Sequence, residues 1–351
     1  MKYNAFYACA SLKSILLPEN VTSIVDGNAN YGCFQNCTSL QYIRAKNVTY
    51  IGRAAFMNCS SLDKVDITWE NVTVIGRDSF YGCVSLVIDN PNFSNVKTLS
   101  QSAFNGCTSF EIGNLYLPSL ETISVNSLIG VKVRRISSLG KATELPNIGC
   151  DTLILEEVNL CNVIDIAAGV FENCTKLVQV RGLENVVNLG AHAFYGCSSL
   201  TMDIDLSSIT SSLINGNFAK SGIKSVICHA SVLGRSSGEG PFAYCTNLRS
   251  AILPYITTLG DWSFRFCSSL NYVMLGDSTT TINSAVFAYC EALEVFICKS
   301  ITPPALANQV FAKTNETFII YVPDESVGIY QTATNWNAFA SRIKPMSEYI
   351  V

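Results

Sequence analysis

The chain has 351 residues and a net charge of −4; 48% of its residues are hydrophobic and only 14% are charged, where soluble domains usually carry about 25%. No cluster of Lys and Arg is present, which argues against a nucleic-acid partner because phosphate binding needs such clusters. No apolar run reaches the roughly 18 residues of a membrane span, so the chain has no transmembrane segment and its apolar residues belong to a folded core.

The first elements in chain order are a short aromatic–cysteine motif and a strand. The opening segment YNAFYACASL places Phe6 three residues before Cys9, and the strand-like segment Leu12–Pro18 follows. The start lacks the apolar region of a signal peptide. Since the motif is cut short at its beginning, we expect that the chain opens inside a repeat and that further sequence precedes it.

The same motif then returns along the chain. It reads Phe, two variable residues, Cys, two variable residues, then Leu or Phe, as in GRAAFMNCSSL at Gly52–Leu62. The key aromatic residue recurs every 20 to 28 residues, with Leu128 and Ile148 in its place midway. Its positions are Phe6, Phe34, Phe56, Phe80, Phe104, Phe171, Phe194, Phe218, Phe242, Phe264, Phe287 and Phe311. This regular period predicts a solenoid whose repeats stack only on their neighbours, and it argues against separate domains.

Each period has a second half, which we predict to be a strand followed by a turn. Segments such as Leu248–Pro254 are apolar at positions one, four and six, so alternate residues face the core. Segments such as Asn71–Gly76 add two more inward apolar residues and end on a glycine, which permits a tight turn. The aromatic segment that follows is expected to form a short helical turn.

These segments resemble the leucine-rich repeat superfamily, in particular its BspA-like bacterial repeats. The L-x-x-L-x-L strand, the N-V-x-x-I-G turn and the A-F-x-x-C-x-x-L segment all match, over nearly the whole chain. The resemblance implies an α/β fold: a leucine-rich-repeat solenoid of about 13 rungs, with a parallel β-sheet on one face, short helical turns or loops on the other, and a C-terminal cap.

The end of the chain is predicted to cover the last rung. Residues 302–351 resemble the cap of such proteins from gut Bacteroides-type bacteria, and the segment FIIYVP is expected to supply the last strand. The side chains expected to cover the open end are Val327, Tyr330, Trp336, Phe339 and Ile343. We therefore divide the chain into a solenoid over residues 1–301 and a last repeat with its cap over residues 302–351.

Fifteen cysteines would suggest a disulfide framework in a small secreted protein, but their spacing argues otherwise. Ten share one repeat position and are predicted to form a buried ladder of thiols: Cys9, Cys37, Cys59, Cys83, Cys107, Cys174, Cys197, Cys245, Cys267 and Cys290. Disulfides between neighbouring rungs remain an alternative. Cys228 and Cys298 fall on inward strand positions, whereas Cys150 and Cys161 lie in the irregular middle of the chain.

Candidates for chemistry are few. Cys33 and Cys37 form a lone C-x-x-x-C with no histidine nearby, whereas a zinc site needs four clustered ligands. His192 precedes Cys197 within one repeat, which raises the alternative of a cysteine–histidine nucleophile pair. Other repeats place Asp78 or Ser102 at the position of His192, so an exposed, variable residue is favoured. We predict no enzyme activity, no cofactor and no metal.

The outward strand positions differ most between repeats. At the fifth strand position, charged side chains early in the chain give way to an apolar row near its end. Contiguous exposed apolar residues often mark an interaction site. The predicted partner-binding face comprises Tyr42, Arg44, Arg181, Ile227, Ile252, Tyr272, Met274, Val295, Ile297 and Tyr321. The alternatives are a strand register that is off by one, or a tail that folds back over the row.

These observations lead us to expect a non-enzymatic protein that binds a protein or glycan ligand through the sheet face or the loops beside it. The resemblance implies an extracellular or cell-surface location in bacteria and a role in adhesion to a host or matrix. Fold alone does not fix function, so a structural or spacer module of a larger surface protein is the alternative. A thiol-dependent enzyme is the third hypothesis.

Overall fold

The computed structural model describes residues 4–26, 31–149, 153–210, 212–234 and 238–350. The chain forms a parallel-sheet β-solenoid of about 14 turns with few helices, which confirms the predicted fold class. It divides into two compact units. The first unit runs to Val170 and includes Val180–Gly182; the second comprises Phe171–Gln179 and the chain from Leu183 onward. One turn of the solenoid is called a rung below.

Nearly every rung contributes one strand to the front sheet, in which all pairing is parallel. Its strands are grouped in separate ladders of three and four strands in the first unit and one of seven strands in the second. The front strands of the first unit are Ser14–Leu16, Tyr42–Arg44, Lys64–Asp66, Glu111–Tyr116, Lys132–Ser138, Glu157–Asn159 and Gln179–Arg181. Those of the second unit are Asp203–Leu206, Ser225–Cys228, Ser250–Leu253, Tyr272–Leu275, Val295–Cys298, Ile319–Val322 and Ile343–Pro345. Burial alternates along these strands as predicted, as in Tyr272–Leu275, where Val273 and Leu275 are buried and their neighbours are not.

A second strand of two residues follows in nearly every rung and forms a narrow side ladder. In the first unit these strands are Ser23–Ile24, Tyr50–Ile51, Val74–Ile75, Thr98–Leu99, Thr122–Ile123, Glu144–Leu145 and Asp165–Ile166. In the second unit they are Asn188–Leu189, Ser212–Leu213, Val232–Leu233, Thr258–Leu259, Thr281–Ile282 and Ala305–Leu306. The second residue of each strand carries the inward aliphatic side chain that the repeat predicts.

The aromatic–cysteine segments form the third side, called the turn face, which runs in each rung from two residues before the key aromatic residue to the ladder cysteine. These segments are overlapping turns rather than helices. The Cys59 amide donates to the Phe56 carbonyl at 3.0 Å, and the Leu62 amide donates to the Cys59 carbonyl at 3.0 Å. Neighbouring rungs are joined here too, because the Phe56 amide donates to the Ser79 carbonyl at 2.7 Å.

Stacked phenylalanine rings fill the core behind the turn face. In the first unit, rings from Phe6 to Phe104 stack with centroids 5.1 to 5.4 Å apart. In the second unit, rings from Phe171 to Phe311 stack at 5.0 to 5.8 Å. Leu128 is buried, and its amide donates to the Ile148 carbonyl at 2.8 Å, so these two residues occupy the ring position as predicted.

The C-terminal segment packs against the last rungs of the second unit. Within the described ranges the one α-helix is Val327–Thr332, and the 3-10 helices are Trp69–Asn71, Leu183–Asn185, Asp324–Ser326, Asn337–Arg342 and Met346–Glu348. FIIYVP supplies the strand Ile319–Val322 as expected, but it is not the last one, because Ile343–Pro345 pairs beyond it. Tyr330 and Trp336 are fully buried, and the Trp336 indole N–H donates to the Pro304 carbonyl at 2.8 Å. The predicted boundary at residue 302 stays a prediction.

Candidate functional site

The predicted apolar row is continuous across five strands of the second unit. Strand register pairs Ile227 with Ile252, Ile252 with Met274, Met274 with Ile297, and Ile297 with Tyr321. Neighbouring strands lie about 4.8 Å apart, so these side chains form one line across the front sheet. The alternative that the register is off by one is therefore wrong for this part of the chain.

Exposure of the row falls towards the C-terminal end. Ile227 is 39% exposed, and Ile252 and Met274 are half-buried. Ile297 is only 5% exposed, which corrects the expectation that it forms part of an exposed surface. Tyr321 is half-buried. The open part of the row therefore consists of Ile227, Ile252 and Met274, and we call these three residues the open row.

The end of the chain covers the rest of the row. The Tyr349 ring packs on Tyr321 with centroids 5.0 Å apart, and Tyr349 lies close enough to Tyr272 to raise the pKa of that phenol. The strand of Val295 and Ile297 lies between the strands of these two tyrosines. Tyr349 therefore lies near the C-terminal end of the row, where Ile297 is buried. The alternative of a tail that folds back over the row is thus correct for its C-terminal end.

The tail, residues 346–350, is anchored through Ser347 and changes the pKa of two groups that it contacts. The Ser347 amide donates to Asp324 Oδ1 at 3.0 Å. Hydrogen bonding by Ser347, first through its side chain and then through its backbone, lowers the pKa of the Asp324 carboxyl. Burial, followed by the neighbouring Tyr349 phenol, raises the pKa of Tyr272. The Tyr272 hydroxyl therefore stays neutral at physiological pH and adds no charge to the row.

The remaining predicted face residues belong to the first unit, where polar contacts dominate the front sheet. The Tyr42 hydroxyl donates to Asp66 Oδ2 at 3.2 Å, and the Arg44 guanidinium lies 4.0 Å from the same oxygen. Lys46 also bonds to Asp66 and is the main cause of the lowered pKa of that carboxyl. Arg181 is exposed on its front strand. The structure thus divides the predicted face between a polar part in the first unit and an apolar part in the second.

The ladder cysteines share one contact that the sequence did not reveal. Each thiol in the following set donates to the carbonyl of the key phenylalanine in the preceding rung. The pairs are Cys37–Phe6, Cys59–Phe34, Cys83–Phe56, Cys107–Phe80, Cys197–Phe171, Cys245–Phe218, Cys267–Phe242 and Cys290–Phe264, with Sγ–O distances of 2.9 to 3.2 Å. The described cysteines carry thiols rather than disulfides.

Burial makes the ladder thiols poor nucleophiles. Desolvation raises the pKa of Cys37 to about 11 and the pKa of Cys107 and Cys245 to about 12, whereas the thiolate is the reactive form. Cys9 departs from the prediction because it is exposed. Cys161 is half-buried. Cys150 lies outside the described residues.

The two remaining chemical alternatives find no support in the geometry. The Cys197 thiol donates to the Phe171 carbonyl, while the half-buried His192 ring packs 5.2 Å from the Tyr195 ring. Cys33 is buried, and no group of three or more His, Cys, Asp or Glu side chains among the described residues could hold a metal ion. No helix in the described ranges is long and apolar enough to cross a membrane.

The turn face has a conformational feature that the sequence pattern did not predict. The residue before the ladder cysteine looks variable, yet it adopts a left-handed backbone, as at Asn58 (φ 61°) and Gly82 (φ 72°). In the second unit this position presents Tyr244, Phe266 and Tyr289, whose rings stack on one another. Comparing this position from repeat to repeat would have shown the change from Asn and Gly to aromatic residues.

Comparisons with known proteins agree with this repeat architecture. Residues 1–111, 28–148, 149–254 and 216–335 match the family described as BspA type leucine rich repeat region (6 copies). No curated protein sequence matches the chain.

Solved structures of three leucine-rich repeat proteins resemble the chain at low identity. A leucine-rich repeat protein from Bacteroides ovatus ATCC 8483 is 18% identical, with 99% of this chain and 87% of that chain covered and a TM-score of 0.45. A leucine rich cell surface protein from Faecalibacterium prausnitzii A2-165 is 18% identical, with 95% of this chain and 86% of that chain covered and a TM-score of 0.42. A leucine-rich repeat protein from Eubacterium ventriosum ATCC 27560 is 20% identical, with 87% of this chain and 83% of that chain covered and a TM-score of 0.40. Since the family match spans most of its length, the chain belongs to the BspA-type leucine-rich repeat family.

Proposed function

We propose that this chain is a non-enzymatic binding protein, and that it holds its ligand on the front sheet of the second unit. The observation that carries the proposal is the open row, in which Ile227, Ile252 and Met274 lie in register on adjacent strands. Asp205 pairs with Ile227 and borders the row on its N-terminal side. Fully burying an aliphatic side chain of this size contributes about 1.5 to 3 kcal/mol. A partner that covers the row therefore gains affinity from a small area.

The shape of the row favours a protein surface over a glycan as the ligand. The three side chains lie on adjacent front strands, and the row offers no hydrogen-bonding groups of its own. Sugar hydroxyls would lose water there without gaining partners, which costs free energy. A protein surface with exposed aliphatic or aromatic side chains would lose few hydrogen bonds to water on covering the row. Tyr272, which is half-buried at the third strand position, adds a polar rim.

We place this binding function outside the cell or at the bacterial cell surface. Membership of the BspA-type family supports that location. The absence of reactive thiols among the buried ladder residues and the hydrogen bonding of Cys197 support a non-enzymatic role.

The test introduces a charge into the open row and compares it with the same change elsewhere. The unchanged chain is first tested by surface plasmon resonance against a panel of immobilised extracellular-matrix proteins. Ile252→Asp should abolish binding to any panel protein that the unchanged chain binds. Leu16→Asp is the matched control, because Leu16 holds the same strand position in the first unit and is 64% exposed. Circular dichroism checks that both variants are folded.

Two results would contradict the proposal. If the folded Ile252→Asp variant binds as tightly as the unchanged chain, the open row is not the binding surface. If the unchanged chain binds no member of the matrix panel and no glycan on an array, the spacer-module alternative gains support.

A further inference from the structure

The turn face of the second unit carries bulky side chains where the backbone disfavours them. The position before the ladder cysteine is left-handed, and Asn or Gly occupies it in most other rungs, as at Asn173 (φ 58°) and Gly196 (φ 70°). Three consecutive rungs instead place Tyr244 (φ 60°), Phe266 (φ 62°) and Tyr289 (φ 64°) there. A left-handed backbone is strained for large side chains. Since other rungs fold with Asn or Gly at this position, the aromatic side chains are explained better by ligand binding than by folding.

The aromatic side chains form an ordered and partly exposed group. Ring centroids lie 4.8 Å apart between Tyr244 and Phe266 and 4.4 Å apart between Phe266 and Tyr289, with nearly parallel planes. Trp262 lies beside them, also with a left-handed backbone (φ 60°). Tyr244 is 39% exposed and Trp262 is 37% exposed. Stacking fixes the rings in place, so the surface they present is rigid before any ligand arrives.

Arg265 supplies a cationic group that lies against the aromatic rings of this cluster. Its guanidinium carbon lies 4.7 Å from the Phe266 ring centroid and 5.5 Å from that of Trp262. Its Nε is buried and has no hydrogen-bond partner, and the guanidinium pairs with no carboxylate among the described residues. By contrast, Arg134 is paired with Glu156 at 3.0 Å. A buried donor without an acceptor is unfavourable, and a carboxylate is the group that a guanidinium edge binds best.

A cavity connects the aromatic and cationic groups. It has a volume of about 280 Å³ and is lined by Gly238, Glu239, Ala243, Tyr244, Trp262 and Arg265. This volume lies just below the usual range for ligand sites, about 300 to 1,000 Å³, and suits one ring rather than a helix or strand. At its rim, Lys220 pairs with Glu239 at 3.4 Å and lies 5.6 Å from the Tyr244 ring centroid. This ion pair offers both a donor and an acceptor to hydroxyl groups.

We propose that this cavity, called the turn-face pocket, binds an acidic sugar. The apolar C–H face of the ring would pack on Trp262 and Tyr244, and its carboxylate would accept hydrogen bonds from Arg265. Hydroxyl groups would meet the Lys220–Glu239 pair. An acidic peptide could also offer a carboxylate, but its thin Asp or Glu side chain would leave the aromatic walls uncovered. The turn-face pocket is independent of the open row on the front sheet.

Isothermal titration of the full chain with 3′-sialyllactose tests the proposal, with lactose as the neutral control and an acidic peptide as the competing class. We expect lactose to bind at least 10-fold more weakly than sialyllactose, and Arg265→Gln to weaken sialyllactose binding at least 10-fold. Arg249→Gln is the matched control, because Arg249 is exposed in the same unit and does not line the cavity.

A second variant separates binding from folding. Trp262→Gly places at this position the residue that best tolerates a left-handed backbone, so we expect an unchanged or higher melting temperature together with at least a 10-fold loss of sialyllactose binding. The proposal is overturned if sialyllactose fails to bind, if Arg265→Gln binds it as the unchanged chain does, or if the acidic peptide binds more tightly. Ile252→Asp should leave sialyllactose binding unchanged, which keeps this test separate from that of the front sheet.

Discussion

The thiol of Cys59 donates a hydrogen bond to the carbonyl oxygen of Phe34 in the preceding rung at 3.0 Å. The same carbonyl accepts from the Cys37 amide at 3.1 Å, so both of its lone pairs are used although it is buried. Alanine at this position would supply no donor. The repeated cysteine is therefore explained by its size, its apolar character and this one weak donor, without any role in catalysis.

We expect Cys59→Ala to destabilise the chain by about 1 to 2 kcal/mol, because it leaves a buried carbonyl short of one donor and opens a small cavity. Urea denaturation followed by circular dichroism measures the change. Cys9→Ala is the control, and since Cys9 is exposed we expect a change within about 0.5 kcal/mol. Equal effects of the two substitutions would show that the ladder bond contributes nothing.

Alkaline pH should destabilise the chain through its buried thiols. Desolvation raises the pKa of Cys107 and Cys245 from 9.0 to about 12, so they stay protonated in the folded chain while they ionise in the unfolded chain. Their contribution is therefore fully present below pH 9 and is lost as pH rises towards 12, at about 1.4 kcal/mol per pH unit for each thiol.

Urea unfolding at pH 8, 9, 10 and 11 tests this dependence. The double variant Cys107→Ser/Cys245→Ser has two fewer groups that ionise in this range, so its free energy of unfolding should fall less steeply with pH. The difference between the slopes of the two proteins should be about 2.8 kcal/mol per pH unit. Parallel slopes for the two proteins would mean that these thiols are not protected from ionisation.

Native thiol reactivity should follow burial. We expect a disulfide reagent to modify Cys9 rapidly and Cys161 more slowly, because the first is exposed and the second is half-buried. The other described cysteines are buried and should react only after unfolding. Mass spectrometry of peptides identifies each modified residue. Rapid modification of a ladder cysteine such as Cys197 in the folded chain would revive the thiol-enzyme hypothesis.

Tyr349→Ala should uncover the C-terminal end of the apolar row. The loss of its ring contact with Tyr321 should cost about 0.5 to 1.5 kcal/mol, and Ile297 should become accessible. We expect stronger fluorescence from a dye that binds apolar surfaces and tighter binding of any ligand of the open row. Ile350→Ala is the control, since Ile350 is 90% exposed. Unchanged dye fluorescence in Tyr349→Ala would show that the tail does not shield the row.

The sequence was sufficient to predict features that repeat with a fixed spacing. The phenylalanine stack, the burial of most ladder cysteines and the register of Ile227 with Ile252 all follow from one period. Each depends only on the adjacent rung, so local pattern determines it.

Features set by long-range contact or by backbone conformation were not predictable in this way. Ile297 is buried although it holds an outward strand position, and Tyr349, which lies far along the chain and outside the repeat, packs nearby on Tyr321. The short strand Ile343–Pro345 contains a proline, which strand patterns disfavour. The stacked rings of Tyr244 and Phe266 depend on a left-handed backbone that leaves no periodic signal in hydrophobicity.

Hydroxyl-radical footprinting of the full chain, with and without a matrix protein that it binds, tests the central claim most directly. Met274 reports on the open row, and Met57, which is half-buried on the turn face of the first unit, is the internal control. We predict that the bound partner protects Met274 from oxidation at least several-fold and leaves Met57 unchanged. Oxidation of Met274 at the same rate in the complex as in the unbound chain would contradict the assignment of the front sheet as the binding surface.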